Sequence, residues 1–352
     1  MKRKVLVLGY FGYNTNQLDG QTVKTRHIYT LAEELVGKKK LYYFDTQKIQ
    51  FNKLSVFEMV WKVIRCRELL YLPAHSNLKT IFPFLFCLSY VFHFSIHYFV
   101  VGGWLREFLA NLPIHRCMLR HIVGIHVETC RLRNELESYY HFQNVDIFPN
   151  FRFFEFDSNA MTSSIISINE DVRRECRTLK ICFVSRVEKS KGLDTLVQVA
   201  KILSEKGMSF QVKIDFYGPK KDNYFDDYLS SIEMYEYKGI IQSGDVISTL
   251  KKYDALIFPS HYEGEGCPGI MVEAFSAALP IIASDWKYNR EFVYHGINGF
   301  ICKTYDASAY ADAIVKLMDD YSLRERMARQ SYLMSERYSI GYAKKLMKVY
   351  LK

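Results

Sequence analysis

Two carboxylates and three glycines crowd one short run late in the chain, YDALIFPSHYEGEGCPGIMVEAFSAALPIIASD, which begins at Tyr253. Glu265 and Glu273 are separated by seven residues, and Gly264, Gly266 and Gly269 punctuate the segment around them. Ala255–Pro259 has the apolar character of a buried strand. Ile270–Ala278 reads as a helix and Ile281–Ala283 as the next strand. Glu265 therefore falls in the turn and Glu273 a turn or so into the helix. Glycines let a backbone come close to a phosphate, and free N–H groups at a helix start favour anions. A nucleotide-sugar is the kind of ligand this arrangement suits.

A second constellation is Ser185-Arg186-Val-Glu-Lys-Ser-Lys191-Gly192. Arg186 follows a strand, and Lys191 precedes a helix that starts after a glycine. Two fixed cations at a strand's carboxyl end would complement a diphosphate leaving group, Arg through two oxygens at once and Lys as a point charge. The bland alternative is a solvated loop in which Glu188 and Asp194 neutralise both.

Glycines 264, 266 and 269 also satisfy G-x-G-x-x-G, and Asp285 lies at the end of the next strand, so a dinucleotide site enters the comparison. Three features count against it. Ser260–Glu263 separates the strand from the first glycine, where the fingerprint needs a tight turn. Glu263 and Glu265 would set carboxylates beside a pyrophosphate. The unit also lies late in the chain.

The elements that must position these residues alternate between strand and helix in both halves. Lys4–Leu8 reads as a strand, Gly9–Gly20 as a loop, and Gln21–Leu35 as a helix with Asp19 at its N-cap. Strands are expected at Leu41–Phe44, Leu69–Leu72, Ser95–Val101 and Val145–Phe148. The later half offers Lys180–Ser185, an amphipathic Gly192–Lys206, then Gln211–Tyr217 and Ile240–Gln242. Terminal helices are expected at Ala307–Met318, Leu323–Tyr338 and Ile340–Leu351. Such alternation predicts an α/β protein with doubly wound parallel sheets covered on both faces. At 352 residues two domains are expected, with their boundary in Asn150–Leu179. Residues 1–158 would form the first domain, 159–335 the second, and 336–352 a last helix packing back on the first. Ligands on such sheets bind beyond the carboxyl ends of the strands, which predicts a site in a cleft between the two.

Composition is that of a globular protein, 49% hydrophobic and 24% charged, which excludes extensive disorder. The formal charge of +9 is uneven: residues 1–160 carry 20 Lys and Arg against 13 Asp and Glu. A basic first half suggests an anionic partner such as a lipid head group, a phosphorylated acceptor or a membrane surface. Nucleic acid is disfavoured, because the aromatics are spread along the chain. Eight cysteines without CxxC pairing suit buried thiols in a reducing cytoplasm. The start MKRKVLVLGY mimics a signal sequence, but its short apolar stretch reads better as a first strand. Ile81–Val101 is read as a core helix followed by a buried strand, with a membrane-dipping surface as the alternative, and not as a membrane span. No histidine grouping has a carboxylate or cysteine spaced to complete a metal site.

Five motifs in order then carry a family resemblance: Arg186-x4-Lys191-Gly192, Phe216-Tyr-Gly-Pro219, Phe258-Pro-Ser260, Glu265-x7-Glu273, and Ser284-Asp285 with Glu291-Phe-Val, Gly296 and Asn298-Gly299. Together they resemble the retaining glycosyltransferases of family 4. The similarity is dense over about residues 145–340, and thinner before that, in the Gly9–Gly20 loop and Gln21–Arg26. The resemblance implies the GT-B fold, two facing Rossmann-like domains with a cleft between them. It implies sugar transfer from a nucleotide-diphosphate donor to a glycan or lipid-linked acceptor with retained configuration, commonly in surface polysaccharide biosynthesis. No cofactor or metal would be required, and the site would be cytoplasmic, at the inner face of a membrane if it docks there. By the resemblance, Arg186 and Lys191 would grip the diphosphate, Glu273 the ribose hydroxyls, and Glu265 would face the transferred sugar. Gly266, Gly269 and Ile270 would meet the distal phosphate at the helix start. Gly218 would line the base side, and Gly20 would approach the diphosphate from the first domain.

The chain departs from the family pattern in two places. Relatives often carry a histidine at the end of a central strand in the first domain, where this chain has Gly102-Gly103-Trp104. Another group there, or His75 of Pro73-Ala-His-Ser-Asn77, would have to place the sugar. Pro268 stands where many relatives have glycine, and suits a helix's first turn. The missing histidine leaves open a catalytically inactive nucleotide-sugar-binding partner of the same fold.

Overall fold

The computed structural model describes residues 4–15, 19–158 and 178–351. The chain divides into two compact units, Met1–Phe153 with Tyr338–Lys352, and Phe154–Arg337. Cys176 and most of the stretch expected to hold the boundary lie outside the described residues.

In the first unit six strands form one sheet: β1 Val5–Gly9, β2 Leu41–Asp45, β3 Glu68–Leu72, β4 Ser95–Phe99, β5 Gly124–Val127 and β6 Val145–Ile147. Their order is β2-β1-β3-β4-β5-β6 and every pairing is parallel. Parallel strands need crossover connections, so both faces acquire helices and the strands themselves become apolar runs. All five residues of β1 are buried accordingly. The helix Gly20–Val36 starts at Asp19, whose side chain accepts from Thr22 N while Thr22 Oγ1 accepts from Asp19 N. That reciprocal cap fixes where the helix begins. The last helix, Ile340–Tyr350, belongs to this unit. It packs Ile340, Ala343 and Met347 into one core with Ile28, Leu31 and Ala32.

The second unit repeats the plan with β7 Leu179–Val184, β8 Val212–Tyr217, β9 Tyr235–Gly239, β10 Ala255–Phe258, β11 Ile281–Ser284 and β12 Gly299–Cys302. The order β12-β11-β10-β7-β8-β9 is again parallel throughout. The chain leaves β7 in one direction and returns on its other side at β10. That reversal is where doubly wound sheets open a crevice beyond their strand ends.

Several expectations are corrected. The edge strand beyond β8 is Tyr235–Gly239, not Ile240–Gln242: Tyr235 is buried whereas Ile240 is exposed. β5 and β12 were absent from the expected elements. Each is four residues long and begins with a glycine, which leaves only three residues to signal a strand, and in β5 one of them is His126. In the helix Leu193–Glu205 the face expected as Leu193, Leu196, Val197, Ala200 and Leu203 buries Val199 in place of Val197, which is only half-buried. Of the seven described cysteines, Cys87, Cys117 and Cys130 are exposed. The helix Phe82–Phe92 is no core helix either, since only Phe82 and Leu85 of its residues are buried. No helix among the described residues is long and apolar enough to cross a membrane.

Candidate active site

The two constellations meet at the reversal point of the second sheet. Arg186 and Lys191 lie in the loop after β7, and Ser260, Tyr262 and Glu265 in the turn after β10. Two glycines permit this closeness. Gly192 has φ +86°, and a Cβ there would stand 2.3 Å from the Pro259 carbonyl oxygen. Gly218, after β8, has φ +128°, and its Cβ would stand 1.8 Å from the carbonyl oxygen of Ser185. A side chain at either position would demand both a strained backbone and a displaced neighbouring loop.

Lys191 is 6% exposed and pairs with Oε1 of Glu265, itself 8% exposed. The same oxygen accepts from Ser260 Oγ at 2.8 Å. Burial pushes the Lys191 ammonium's pKa below the usual lysine range, and the Glu265 carboxylate opposes that shift. Arg186 pairs with Glu188 at 3.2 Å and is half-exposed. Both cations lie over one ring: Lys191 Nζ is 4.3 Å and Arg186 Cζ 4.8 Å from the centroid of Tyr262. Tyr262 thus holds two like charges close together against their mutual repulsion, by offering each its negative face. The solvated-loop alternative fits poorly, because Lys191 is buried and its partner is Glu265, 74 positions away.

The turn is braced from below. Ser284 Oγ donates to the Ser260 carbonyl, and Asn289 Nδ2 donates to Ser284 O and Oγ at 3.0 and 3.1 Å. Trp286 Nε1 donates to Tyr262 O at 2.9 Å, and Lys287 pairs with Glu263 at 2.7 Å. Asp285 makes a two-pronged pair with Arg290 at 2.6 and 2.7 Å, which holds its carboxyl below the usual carboxylate range. That commitment to Arg290 argues against Asp285 as a ribose acceptor in the dinucleotide manner.

The helix Gly269–Ser276 points its start at the same turn. Pro268 is the residue before its first turn, one position earlier than expected, and Gly266 is buried in the turn. Gly269, Ile270 and Glu273 are half-buried. The orphan N–H groups of such a terminus are anion-seeking.

The first-unit candidates gather at the carboxyl edge of their own sheet. Gly20 is the exposed first residue of its helix. His75 packs its ring 4.6 Å from Trp104 and 4.2 Å from Phe108, and Trp104 Nε1 donates to Val101 O at 2.8 Å. His75 therefore lies beside the Gly102-Gly103 turn. Burial, then Lys79, lowers its pKa. Sequence reasoning missed the group that organises this turn. Lys24, fully buried, donates to Glu128 Oε1 at 2.6 Å and to Val100 O at 2.9 Å, and Glu128 Oε2 accepts from Gly102 N at 3.4 Å. A lysine on the apolar face of a helix was the available signal. Ser260, Tyr262 and Asn289 were missed as well. Among the described residues no cluster of His, Cys, Asp and Glu is placed to hold a metal ion.

Residues 168–334 match the family model for glycosyl transferases group 1. The capsular polysaccharide biosynthesis glycosyltransferase CapM of Staphylococcus aureus is 31% identical over 178 residues, covering 50% of this chain and 44% of that protein. The poly(glycerol-phosphate) alpha-glucosyltransferase of Bacillus subtilis is 28% identical over 46% of this chain and 24% of its own length. The chain thus spans less than half of these curated relatives. Among solved structures, Anabaena Alr3699/HepE in complex with UDP superposes with a TM-score of 0.71 at 15% identity, covering 99% of both chains. The lipopolysaccharide outer core galactosyltransferase WaaB gives 0.64 at 13% identity, again over 99% of both. The fold is the GT-B fold of these structures.

Proposed function

We infer that this chain, whose residues 168–334 match the family model for glycosyl transferases group 1, moves a sugar from a nucleoside-diphosphate donor to a glycan or lipid-linked acceptor with retained configuration. The observation that carries the reading is the pairing of two cations over Tyr262 beside the start of the helix Gly269–Ser276. Relatives named for capsular polysaccharide biosynthesis and for glucosyl transfer support surface polysaccharide assembly as the setting. A structural neighbour bound to UDP-glucose supports a nucleotide-sugar as donor.

The chemistry follows from where charge develops. Breaking the bond between the anomeric carbon and the phosphate oxygen leaves a cationic sugar and adds negative charge to the diphosphate. Arg186, Lys191 and the N–H groups of Gly269 and Ile270 stabilise that charge in place of a metal ion; one such donor is typically worth roughly 100- to 1,000-fold in rate. The Glu265 carboxylate beside Lys191 opposes the loss of its proton that burial favours. Its ammonium then has a diphosphate and a carboxylate on either side. Attack by the acceptor hydroxyl from the departing group's own face gives retention, with a phosphate oxygen taking the acceptor's proton. Glu273 accepts from the ribose hydroxyls.

A panel of nucleotides tests this. UDP or GDP at about 100 times its dissociation constant should stabilise the protein by about 2.7 kcal/mol, a rise of about 5–10 °C in melting temperature, whereas NAD should not. Stabilisation by NAD alone would overturn the reading. The rival, a binding protein that has lost turnover, is favoured by the Gly102-Gly103 turn standing where relatives carry histidine. Slow release of UDP or GDP from the donor without acceptor marks the enzyme and rules out the rival.

A further inference from the structure

The helix Phe82–Phe92 contains no charged residue and lies at the protein surface. A helix that is apolar all round belongs in a core or against another apolar phase. One side of this one, Phe82 and Leu85, packs inward. At helical spacing Phe84, Cys87 and Val91, all exposed, point the opposite way. Phe84 is 46%, Tyr90 58%, Val91 67% and Phe92 45% exposed. The neighbouring helix Pro113–Arg120 continues the patch with Ile114, 66% exposed.

The segment that carries this patch is nearly free of carboxylates. From residue 69 to 127 the chain carries a single carboxylate, Glu107, against Lys79, Arg106, Arg116 and Arg120, with His93 and His121 besides. A second copy of the chain seated here by twofold symmetry would bring these cations onto each other. A soluble acidic partner would leave the aromatics without purpose. An anionic bilayer answers both halves of the pattern, taking apolar side chains into the acyl boundary and cations among head groups. At eleven residues the helix is too short to span a bilayer and has the length to lie in its surface.

We propose that this face of the first unit, centred on Phe84, Tyr90, Val91 and Ile114, docks on anionic membrane. The inference goes beyond the reading of the donor site and does not depend on it.

The test is co-sedimentation of the full chain with phosphatidylglycerol–phosphatidylcholine vesicles and with phosphatidylcholine alone. Binding should require the anionic lipid and weaken as salt shortens the range of the attraction. The double variant Phe84→Glu/Val91→Glu should lose about tenfold or more in partition, while its melting temperature and its stabilisation by UDP or GDP stay unchanged. As a gain-of-signal check, Phe84→Trp should add a blue-shifted emission component when anionic vesicles are added. Absence of binding at low salt overturns the proposal, as does binding unaffected by the double substitution. So does concentration-dependent self-association abolished by that substitution, which would assign the face to a second copy. Loss of nucleotide binding in the wild type would strike the donor-site reading alone.

Discussion

Gly218→Ala is the substitution whose cost can be worked most directly from the structure. The residue has φ +128°, and an added Cβ would lie 1.8 Å from the Ser185 carbonyl oxygen and 2.7 Å from its carbon. Both are backbone atoms, so no side chain can swing aside. The region of backbone space is one that L residues enter at about 1–3 kcal/mol. Approaches of a Cβ under 3.0 Å do not occur in practice, so the loops after β7 and β8 must separate by at least about 1 Å. Arg186 is the next residue along, and a misplacement of that size typically costs on the order of 100-fold in rate. In a unit of this size the strain alone should lower the melting temperature by about 2–12 °C. Differential scanning calorimetry, with sugar-transfer or donor-hydrolysis rates on the same preparation, reads both effects. A Gly218→Ala protein that melts within about 1 °C of wild type and retains full activity would refute the argument that this glycine sets the position of Arg186.

Three further outcomes are expected. Lys24→Met should destabilise the first unit by about 3–5 kcal/mol in urea unfolding, because it strands Glu128 in the core, and adding Glu128→Gln should recover most of the loss. Asn298→Ala removes a fully buried amide that accepts from Tyr294 N at 2.7 Å and donates to Phe292 O at 2.9 Å; about 2 kcal/mol should be lost in thermal unfolding. His27 is held neutral by burial and by Arg152, its pKa lowered from 6.5 to about 4. Since the unfolded chain takes up the proton first, stability is complete above pH 6.5 and declines as pH falls toward 4. The loss should reach up to about 2 kcal/mol by pH 5, and His27→Gln should flatten that part of the pH–stability curve.

Local pattern in the sequence was enough to place most strands and the helices around the site. Asp19 announced a helix start that the cap bonds of Thr22 fix, and the glycines after Ala255–Pro259 announced the turn that holds Glu265. What could not be read locally is pairing across the fold. Lys191 and Glu265 are 74 residues apart, and Lys24 and Glu128 are 104 apart. Only the sheet order brings them together. Nor did the residue types tell that one tyrosine ring would serve both Arg186 and Lys191, because Tyr262 looks like any aromatic in a loop. β5 and β12 escaped because a strand buried on both faces loses its alternation, and four residues leave little else to see. The helix Phe82–Phe92 misled for the opposite reason: its apolar composition argued for a core, and the core did not extend that far.

The central claim is that positive groups at the carboxyl edge of the second sheet hold a nucleoside diphosphate. Calorimetric titration of UDP and GDP into wild type and into Arg186→Ala/Lys191→Met measures it directly, with melting curves to show that the variant is folded. The wild type should bind one of the two, and the folded variant should bind it on the order of 100-fold more weakly. Equal affinity in the two proteins would contradict the account.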